Sequence, residues 1–461
     1  PTLNNREDYL MKFKSINPYN GEEVGSYISL SQHELAEKLD QNKATFETWR
    51  EVPLAERCNL LVKAGQVLRD NVDEYAKMIT LEMGKPISES KAEVNKCAWV
   101  CDYYAENAAE FLANEVIPTD AQNSFVKHDP IGSVLAIMPW NFPFWQVFRF
   151  AAPTLTSGNI ALLKHASNVF GCAQMIEEVF IKAGYPKNVF QSLIVHHDLT
   201  EQIISHSSVR AVTLTGSEKA GSAVAQIAGK YLKKSVLELG GNNAFIVLED
   251  ADIDSAVKTA VTARMLNCGQ SCIAAKRFIL VEGIYDEFVS KFTAAIQHLE
   301  SGDTLAESTQ IGPMARIDIA DQLHAQVTES IALGAELLLG GEQNNCYHAP
   351  TVLGNVTPGM PAFDQETFGP LAAMIKANDI DHAYELSEKS VYGLGVTICT
   401  KNIELALEYA SNVSDAAYFI NELVKSDPRL PFGGTKQSGY GRELAKDGMM
   451  EFVNRKTVYV K

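Results

Sequence analysis

Residues 134–164 read VLAIMPWNFPFWQVFRFAAPTLTSGNIALLK and contain two short apolar runs on either side of a helical pattern. The runs Val134–Met138 and Ile160–Lys164 have the length of β-strands, and residues 143–157 have the length of an α-helix. The alternation continues with strand-like runs at 189–195, 211–214 and 235–239 and helical patterns at 168–183, 198–207 and 219–232. Strict alternation predicts an α/β fold, in which a parallel sheet with right-handed crossovers carries helices on both faces.

A second alternating series follows this first one. It comprises predicted strands at 244–248, 277–281, 372–375 and 395–400 and predicted helices at 253–266, 286–299, 317–333 and 403–411. Before both series, a capping box at Ser31–Glu34 and helical patterns at 54–70, 72–83 and 89–112 predict a helical layer that packs on the first sheet. Residues 116–130 are polar and predict an extended arm, and residues 457–461 have strand character suited to pairing with another strand or subunit.

The composition is that of a soluble protein with two or three domains. A chain of 461 residues, 46% hydrophobic and 21% charged, exceeds one ordinary core. The formal charge of −17, without a long basic run, argues against nucleic acid and anionic membranes as partners. The opening PTLNNREDYL lacks the apolar region of a signal peptide, and no apolar run is long enough to span a bilayer. Eight scattered cysteines predict no metal site and favour a reduced, cytoplasmic enzyme.

Polar residues follow the predicted strands of the first series, at the sheet edge where parallel sheets bind ligands. They are Trp140 and Asn141 after the first strand, Lys164, His165, Ala166 and Ser167 after the second, Gly216 and Ser217 after the fourth, and Glu238 and Leu239 at the fifth. An aromatic ring, an amide, an amine, a glycine turn with a hydroxyl and a carboxylate at one edge predict a site for a nucleotide and a polar substrate. The glycine-rich residues 433–441 lack the pattern of a P-loop.

A small-residue segment, NCGQSCIA at residues 267–274, contains the candidate nucleophile Cys272. The thiolate is the reactive form of cysteine, and the segment carries no charge of its own. A general base or backbone dipoles would therefore have to activate the thiol. Because most cysteines are buried structural residues, the segment alone favours a structural interpretation.

Five motifs stand in a fixed order: PWNFP at 139–143, LELGG at 237–241, GQSC at 269–272, ETFGP at 366–370 and PFGGTKQSGYGRE at 431–443. In these motifs the chain resembles the NAD(P)-dependent aldehyde dehydrogenase superfamily over nearly its whole length. The resemblance implies a Rossmann-like parallel-sheet cofactor domain (1–115 and 131–240), an α/β catalytic domain (241–437) and a small β oligomerisation arm (116–130 and 445–461). It also implies a homodimer or homotetramer.

The resemblance implies catalytic roles for four residues. Cys272 would be the nucleophile, Glu238 the general base and the side-chain amide of Asn141 part of the oxyanion hole, while Glu443 matches a position proposed to help relay protons. A thiolate that adds to an aldehyde creates a tetrahedral carbon that expels hydride, and fixed donors stabilise its oxyanion. The thioester left behind needs a water molecule that a carboxylate deprotonates.

The resemblance also implies a nicotinamide cofactor site. Lys164 and Glu366 would hold the two riboses, Phe368 would lie beside the nicotinamide ribose, Gly216 and Ser217 at the pyrophosphate and the carbonyl of Leu239 near the nicotinamide amide. Trp140, Asn141, His165 and Ala166 are expected around the same cofactor. Ser167 stands where many members carry a glutamate that repels a 2′-phosphate, so the cofactor is expected to be NAD or NADP.

Within the superfamily, the chain most resembles the succinate-semialdehyde dehydrogenases. Arg149 and Ser426 stand where those enzymes bind the substrate carboxylate, and a guanidinium fork matches a carboxylate. The second arginine that those enzymes carry is replaced here by Leu266. The expected reaction is oxidation of succinate semialdehyde, or a similar short and anionic aldehyde, to the carboxylic acid with reduction of NAD(P).

Other functions stay open at this stage. The chain could oxidise medium-chain or aromatic aldehydes if Arg149 does not face the pocket, or it could pass the acyl group to coenzyme A instead of water. A cysteine hydrolase would need a histidine near Cys272, and His165 is the only histidine at a predicted strand end beside a suitable orienting residue, where it is already expected at the cofactor. A structural protein with this fold would have no use for Cys272, Glu238 and Asn141 together.

Two further positions lie close to the motifs. Cys268, four residues before Cys272, is either a small buried residue or the partner of the nucleophile in a reversible disulfide. Asn242 replaces the lysine that usually follows the LELGG motif, and nothing in the sequence explains the replacement.

Overall fold

The computed structural model describes residues 11–461. They form one six-stranded sheet, one seven-stranded sheet and several smaller sheets, with helices between them. Residues 1–10, which carried the prediction about a signal peptide, lie outside the described residues.

The helices and strands alternate over most of the chain. The α-helices are α1 (Gln32–Trp49), α2 (Leu54–Asp70), α3 (Val72–Met83), α4 (Ile87–Phe111), α5 (Trp145–Thr156), α6 (Phe170–Ala183), α7 (Thr200–Ser205), α8 (Glu218–Lys230), α9 (Ile253–Met265), α10 (Glu282–Gln297), α11 (Ile317–Ala332), α12 (Pro361–Asp364), α13 (Ile380–Glu388), α14 (Ile403–Tyr409) and α15 (Ala445–Met450). The strands are β1 (Lys12–Ile16), β2 (Glu23–Ile28), β3 (Glu115–Val116), β4 (Asn123–Pro130), β5 (Ser133–Met138), β6 (Ile160–His165), β7 (Phe190–Ser192), β8 (Val209–Thr215), β9 (Lys234–Glu238), β10 (Asn243–Val247), β11 (Ala275–Val281), β12 (Glu336–Leu339), β13 (Gln343–Asn344), β14 (Tyr347–His348), β15 (Thr351–Gly354), β16 (Leu371–Ala377), β17 (Tyr392–Gly393), β18 (Val396–Cys399), β19 (Tyr418–Ile420), β20 (Thr435–Lys436), β21 (Gly439–Tyr440) and β22 (Val453–Val460).

The six-stranded sheet has the order β21-β9-β8-β5-β6-β7, and its strands are parallel except for β21 at the edge. Leu135 of β5 lies opposite Leu162 of β6 and Val212 of β8, and all three pack against α1, α7 and α8. The alternate residues Val134 and Ala161 pack on the other face with the helices from α2 to α6. Because both faces are covered, the strands are apolar throughout, and the predicted α/β fold is confirmed.

The seven-stranded sheet has the order β12-β15-β16-β11-β10-β18-β19, with only β12 antiparallel to its neighbour. Its core includes packed aromatic rings, among them Phe278 on β11 and Phe292 on α10, whose ring centroids lie 5.1 Å apart. The second predicted α/β series forms this sheet. The boundaries between the domains stay a prediction, and β21, near the end of the chain, pairs with β9 of the first sheet.

The expected arm forms a small antiparallel sheet of order β22-β4-β3. Strands β4 and β22 pair over their full length, from Asn123 opposite Val460 to Pro130 opposite Val453. The terminal strand therefore begins at Val453, before the predicted start at residue 457. Its partner is the 116–130 segment of the same chain, which gives this part of the chain long-range backbone hydrogen bonds.

Several short elements differ from the sequence-based expectation. The hairpin β1–β2, the edge strands β12 and β19 and the inner strand β15 were not predicted, and the run at 189–195 forms a strand only at Phe190–Ser192. Strands this short depend on pairing and packing with other elements, which local patterns do not encode. The glycine-rich loop closes tightly on β9: Gly439 has a φ of 109°, and a Cβ there would lie 2.1 Å from the carbonyl oxygen of Leu237.

Within residues 11–461, no helix is both long and apolar enough to cross a bilayer.

A buried carboxylate, Glu93 on α4, fixes the start of α5. Its Oε1 accepts hydrogen bonds from the backbone N–H groups of Phe144 and Trp145, at 2.9 and 3.0 Å. Its other oxygen forms a buried ion pair with Lys85, whose ammonium also lies 3.8 Å from the ring centroid of Phe142. No side chain of α5 itself caps this helix, so Glu93 supplies the acceptor that its first turn needs.

Replacing Glu93 should destabilise the fold substantially. In Glu93→Ala, two buried N–H groups and one buried ammonium lose their partner, so we expect the free energy of unfolding to fall by roughly 3–5 kcal/mol. Thermal and denaturant unfolding measure the change. The control is Glu106→Ala, which removes an exposed carboxylate from the same helix and should shift stability by less than about 0.5 kcal/mol. Equal midpoints for the two variants would contradict this account of α5.

Candidate active site

A cavity of about 330 Å³ is lined by helices that pack on the first large sheet and by one that packs on the second. Its wall combines one face of α4, the start of α5, the end of α9, the segment that contains Cys272 and the loop at 423–432. The wall includes the candidate residues Cys272, Arg149 and Ser426. Three predicted residues from distant parts of the chain therefore meet in one cavity.

The backbone before Cys272 is wound in an unusual way. Asn267 and Cys268 have φ values of 53° and 54°, and Gly269 has 71°. A Cβ on Gly269 would lie 2.1 Å from the carbonyl oxygen of Gly369, so only glycine fits there. Left-handed backbone at non-glycine residues costs free energy and persists where surrounding contacts hold it.

Hydrogen bonds of Asn267 hold this strained turn. Its N–H donates to the Glu89 carboxylate at 2.8 Å, and its Nδ2 donates to the carbonyls of Asn141 and Gln270 at 2.8 and 3.0 Å. Burial raises the pKa of Glu89 to about 7. The turn before Cys272 is thus tied both to α4 and to the loop after β5.

Cys272 borders the cavity in a largely apolar setting. Burial raises the pKa of its thiol to about 11, while the positive charges of Lys276 and Arg149 act in the opposite direction. The thiol is therefore protonated at neutral pH, and a base must remove its proton before it can attack a substrate.

The neighbouring Cys268 is buried in the core of the seven-stranded sheet, and its S–H donates to the Gly312 carbonyl at 3.2 Å, which favours the structural interpretation of that residue.

Glu238, at the end of β9, is a carboxylate with the properties of a base. It is 1% exposed, and neither of its oxygens has a hydrogen-bond partner within residues 11–461. Burial raises its pKa well above the ordinary value, and the charge of Glu443 raises it further. A carboxyl group with a raised pKa can accept and hold a proton near neutral pH.

Two residues predicted for different roles bind each other. Arg149, expected to grip the substrate, forms a buried ion pair with Glu443, which was expected to relay protons. The guanidinium also lies 4.6 Å from the ring centroid of Phe432 and 3.4 Å from Thr215 Oγ1. Burial raises the pKa of Glu443 although Arg149 acts against this shift. The sequence did not indicate this pair, because its members lie on α5 and near the C-terminus.

Asn141 lies behind the cysteine segment. Its Nδ2 donates to the carbonyl of Gln270 at 3.1 Å, and its Oδ1 accepts from Gln146 Nε2 at 3.1 Å. These contacts fix the orientation of the amide, with its donor toward the segment that carries Cys272. The role of Asn141 in an oxyanion hole stays a prediction.

Ser426 is part of a cluster that the sequence did not predict. Its Oγ accepts hydrogen bonds from Lys96 Nζ at 2.8 Å and from Trp145 Nε1 at 3.1 Å, and the Lys96 ammonium lies 4.2 Å from the Trp145 ring centroid. Lys96 follows Glu89 and Glu93 at helical spacing on the face of α4 that lines the cavity. This helical spacing was the sequence signal that could have identified Lys96 as a cavity residue. It does not distinguish a cavity-lining face from any other face of a helix.

The residues expected at the cofactor lie at the carboxyl ends of β6, β8 and β9. Lys164 is half-buried, and burial lowers the pKa of its ammonium, which has no hydrogen-bond partner within the described chain. A Cβ on Gly216 would make only an ordinary contact, at 3.6 Å from Leu214 Cδ2, and Ser217 caps α8. A cation, a glycine turn and a helix N-terminus at one edge fit a dinucleotide with its pyrophosphate. Leu239 follows directly, and its N–H donates to the Ser438 carbonyl.

Other expected cofactor residues are held by protein partners. His165 Nε2 donates to the Pro143 carbonyl at 2.8 Å, its Nδ1 accepts the Ala166 N–H at 3.0 Å, and burial lowers its pKa to about 4. The ring is thus neutral and joins β6 to the loop after β5, so it is not available as a base for a cysteine hydrolase. The aromatic rings of Trp140 and Phe368 meet edge to face at 5.8 Å.

Glu366 is connected to the nucleophile through a buried lysine. Its Oε1 accepts from the Gly241 N–H and from Lys276 Nζ, each at 3.0 Å. The same ammonium donates to the carbonyls of Gly241, Ser271 and Cys272 at 2.7–2.9 Å. Lys276 was not singled out from the sequence, although it stands only four residues after Cys272. A carboxylate can accept hydrogen bonds from ribose hydroxyls, and this role of Glu366 stays a prediction.

Comparison with known proteins agrees with this arrangement. The profile of the Aldehyde dehydrogenase family matches residues 5–458. A Synechocystis protein named as a probable NADP(+) succinate-semialdehyde dehydrogenase is 48% identical over 98% of this chain and 100% of its own. The Escherichia coli NAD(P)+ succinate semialdehyde dehydrogenase Sad is 47% identical over 96% of this chain and 97% of its own.

Solved structures give the same result for the fold. The succinic semialdehyde dehydrogenase from Streptococcus pyogenes, crystallised with NADP+ as the cofactor, is 37% identical and superposes with a TM-score of 0.95. The match covers 97% of this chain and 99% of that one. The likeness that the five motifs indicated is therefore confirmed, and the protein belongs to the aldehyde dehydrogenase family.

Proposed function

We propose that this protein oxidises succinate semialdehyde to succinate with reduction of NADP or NAD, through a thioester on Cys272. The observation that carries the proposal is a single cavity that holds the Cys272 thiol together with cations and the Ser426 hydroxyl. A thiol with nearby donors for a carboxylate suits a short aldehyde with an anionic end. Relatives that match nearly the whole chain are named for this substrate, which supports the same proposal.

The first step is addition of sulfur to the aldehyde. Glu238 takes the proton of Cys272, and because burial raises the pKa of this carboxyl, its carboxylate form is a stronger base than an exposed one. The thiolate bonds to the aldehyde carbon, and the carbonyl π electrons become an oxyanion. The Asn141 amide and the backbone N–H of Cys272 are the donors proposed to stabilise it, and one such donor is worth about 10²–10³ in rate.

The second step leaves an acyl group on sulfur. A bound nicotinamide cofactor supplies a hydride acceptor. Collapse of the oxyanion restores the C=O bond while the C–H bond breaks and its electron pair leaves as hydride, so that a thioester remains on Cys272. Glu238 releases the proton from Cys272 to solvent, and its carboxylate then takes a proton from a water molecule. The hydroxide bonds to the thioester carbon, the C–S bond breaks, and the Cys272 thiolate recovers a proton from Glu238 as the carboxylic acid leaves. While Glu238 is protonated, the positive charge of Arg149 remains paired with the carboxylate of Glu443.

The cofactor would be held by residues from both sheets. Lys164 and Glu366 are proposed for the ribose hydroxyls, the turn at Gly216 and Ser217 for the pyrophosphate, and Phe368 for the nicotinamide ribose. Ser167 begins a short 3₁₀ turn after β6 and places no negative charge there. The names of the relatives, which include NADP(+) and NAD(P)+, support a site that accepts a 2′-phosphate.

We also propose that the protein is a cytoplasmic homodimer or homotetramer. All eight cysteines are free thiols, as in a reducing compartment. The arm sheet exposes apolar side chains at its edge strands, including Val116 and Tyr459, at 69% and 53% exposure. Such apolar edge strands are typical of surfaces that pair with another copy. Light scattering distinguishes a dimer from a tetramer.

Removing the nucleophile should abolish oxidation while the cofactor still binds. For Cys272→Ala we expect turnover to fall by roughly a thousandfold or more, because no thioester can form. Absorbance at 340 nm with succinate semialdehyde measures turnover, and fluorescence titration measures cofactor binding. Cys58→Ala, at a half-buried cysteine on α2, is the matched control and should retain activity. Undiminished turnover of Cys272→Ala would refute the assignment.

Removing the base should stall the reaction after hydride transfer. In Glu238→Gln, the amide cannot deprotonate water, so we expect the acyl-enzyme to accumulate once solvent has slowly supplied the first deprotonation. Intact-protein mass spectrometry under turnover detects the adduct on Cys272. An adduct-free protein would contradict the role of Glu238 in hydrolysis.

Adding coenzyme A to the wild-type assay tests the acylating alternative. A large rise in the rate of aldehyde oxidation would favour transfer of the acyl group to coenzyme A over hydrolysis.

Restoring a carboxylate after β6 should change cofactor preference. In Ser167→Glu, the added negative charge would repel a 2′-phosphate, so we expect kcat/KM for NADP to fall by roughly tenfold or more relative to NAD. Steady-state kinetics with both cofactors in the same variant provides the internal control. An unchanged NADP-to-NAD ratio would place the 2′-hydroxyl away from Ser167.

A further inference from the structure

The cavity wall contains four cationic side chains, and three of them already have an anionic partner. Lys85 pairs with Glu93, and Arg149 pairs with Glu443. The third cation, Lys425, forms an ion pair with Glu422. Lys96 alone has no carboxylate within 4 Å among residues 11–461, although it is largely enclosed by protein. An enclosed ammonium without a counter-ion is costly unless an anion joins it.

The environment of Lys96 holds the ammonium in place and leaves donors free. One N–H bonds Ser426 Oγ at 2.8 Å, and the ring of Trp145 lies 4.2 Å away on one side. The Ser426 oxygen uses its two acceptor positions for Lys96 and Trp145. Its own O–H has no acceptor among the described residues, so it can donate to a ligand. The unused donors of Lys96 and Ser426 thus lie together in the cavity wall.

We infer that Lys96, together with the hydroxyl of Ser426, binds the carboxylate of the substrate, as the one cation of the cavity wall that has no anionic partner among residues 11–461. This inference rests on the proposed function, which supplies an aldehyde with a carboxylate at its far end. The ion pair with Glu443 occupies the Arg149 charge, whereas Lys96 gains its first anionic partner from the substrate. Lys96 therefore determines specificity for anionic aldehydes.

The ionisation of Lys96 gives this inference a distinctive pH dependence. Burial, and after it the positive charge of Arg149 on α5, lowers the pKa of Lys96 to about 8. Cys97 and Glu93 on α4 and Asp427 in the 423–432 loop act in the opposite direction. Below pH 8 the ammonium is present and can bind a carboxylate, and above pH 8 this attraction is progressively lost.

The decisive variant is Lys96→Met, which keeps the length of the side chain and removes its charge. We expect the ratio of kcat/KM for succinate semialdehyde to kcat/KM for butyraldehyde to fall by roughly 10–100-fold, mostly through KM, because a hydrogen bond to a charged group is lost. In the wild type, the same ratio should fall as pH rises through about 8, and this pH dependence should vanish in Lys96→Met. Lys96→Arg should restore part of the ratio.

The matched control is Lys91→Met, which removes one positive charge from the solvent side of the same helix, where Lys91 pairs with Glu307. That variant should keep the wild-type ratio, so a fall of equal size in both variants would overturn the inference. So would a Lys96→Met ratio equal to that of the wild type. Wild-type protein that does not oxidise succinate semialdehyde would refute the proposed function instead.

A binding measurement, which needs no turnover, distinguishes failure of the Lys96 inference from failure of the proposed function. Succinate, titrated by calorimetry into the protein loaded with cofactor, should bind the wild type at least about tenfold more tightly than Lys96→Met. Equal affinities, or no binding to the wild type, would overturn the assignment of Lys96 whatever the aldehyde assays show.

Discussion

The burial of two carboxylates beside one guanidinium is the constraint on which the site depends. Glu238 and Glu443 are both enclosed by protein, and Arg149 provides the only ion pair to this group within residues 11–461. One positive charge cannot balance two negative charges in a medium of low dielectric, so the pKa of each carboxyl is raised. Glu238, at the end of β9, therefore binds a proton more readily than an exposed carboxylate does. Without that property, a thiol whose pKa is about 11 would have no group to ionise it.

The same constraint determines how the cavity can treat an anionic substrate. Arg149 is part of the proton-holding group, and releasing it to a ligand would leave Glu443 buried without its partner. Lys96 can bind a ligand without leaving a buried carboxylate unpaired, because its neighbours are the hydroxyl of Ser426 and the ring of Trp145. The acid–base chemistry and the recognition of charge are therefore assigned to different cations of one cavity.

Much of the fold could be predicted from local patterns. The long helices α2 and α3 occupy the predicted residues, and strands β5, β6 and β10 lie within one residue of their expected bounds. These elements have strong periodicity and clear end signals. The hairpin β1–β2 and strands such as β12 and β19 were missed, because their stability comes from pairing and packing with distant residues.

By itself, the sequence determined the α/β architecture, the order of the motifs and the identity of the reactive groups Cys272, Glu238 and Asn141, because periodicity and side-chain chemistry are local properties. Only the tertiary structure decided which charges neutralise each other. Arg149 and Glu443 are nearly three hundred residues apart, and Lys96 and Ser426 are further apart still. Ionisation in a buried site depends on all neighbours within a few ångströms, and only folding brings those neighbours together.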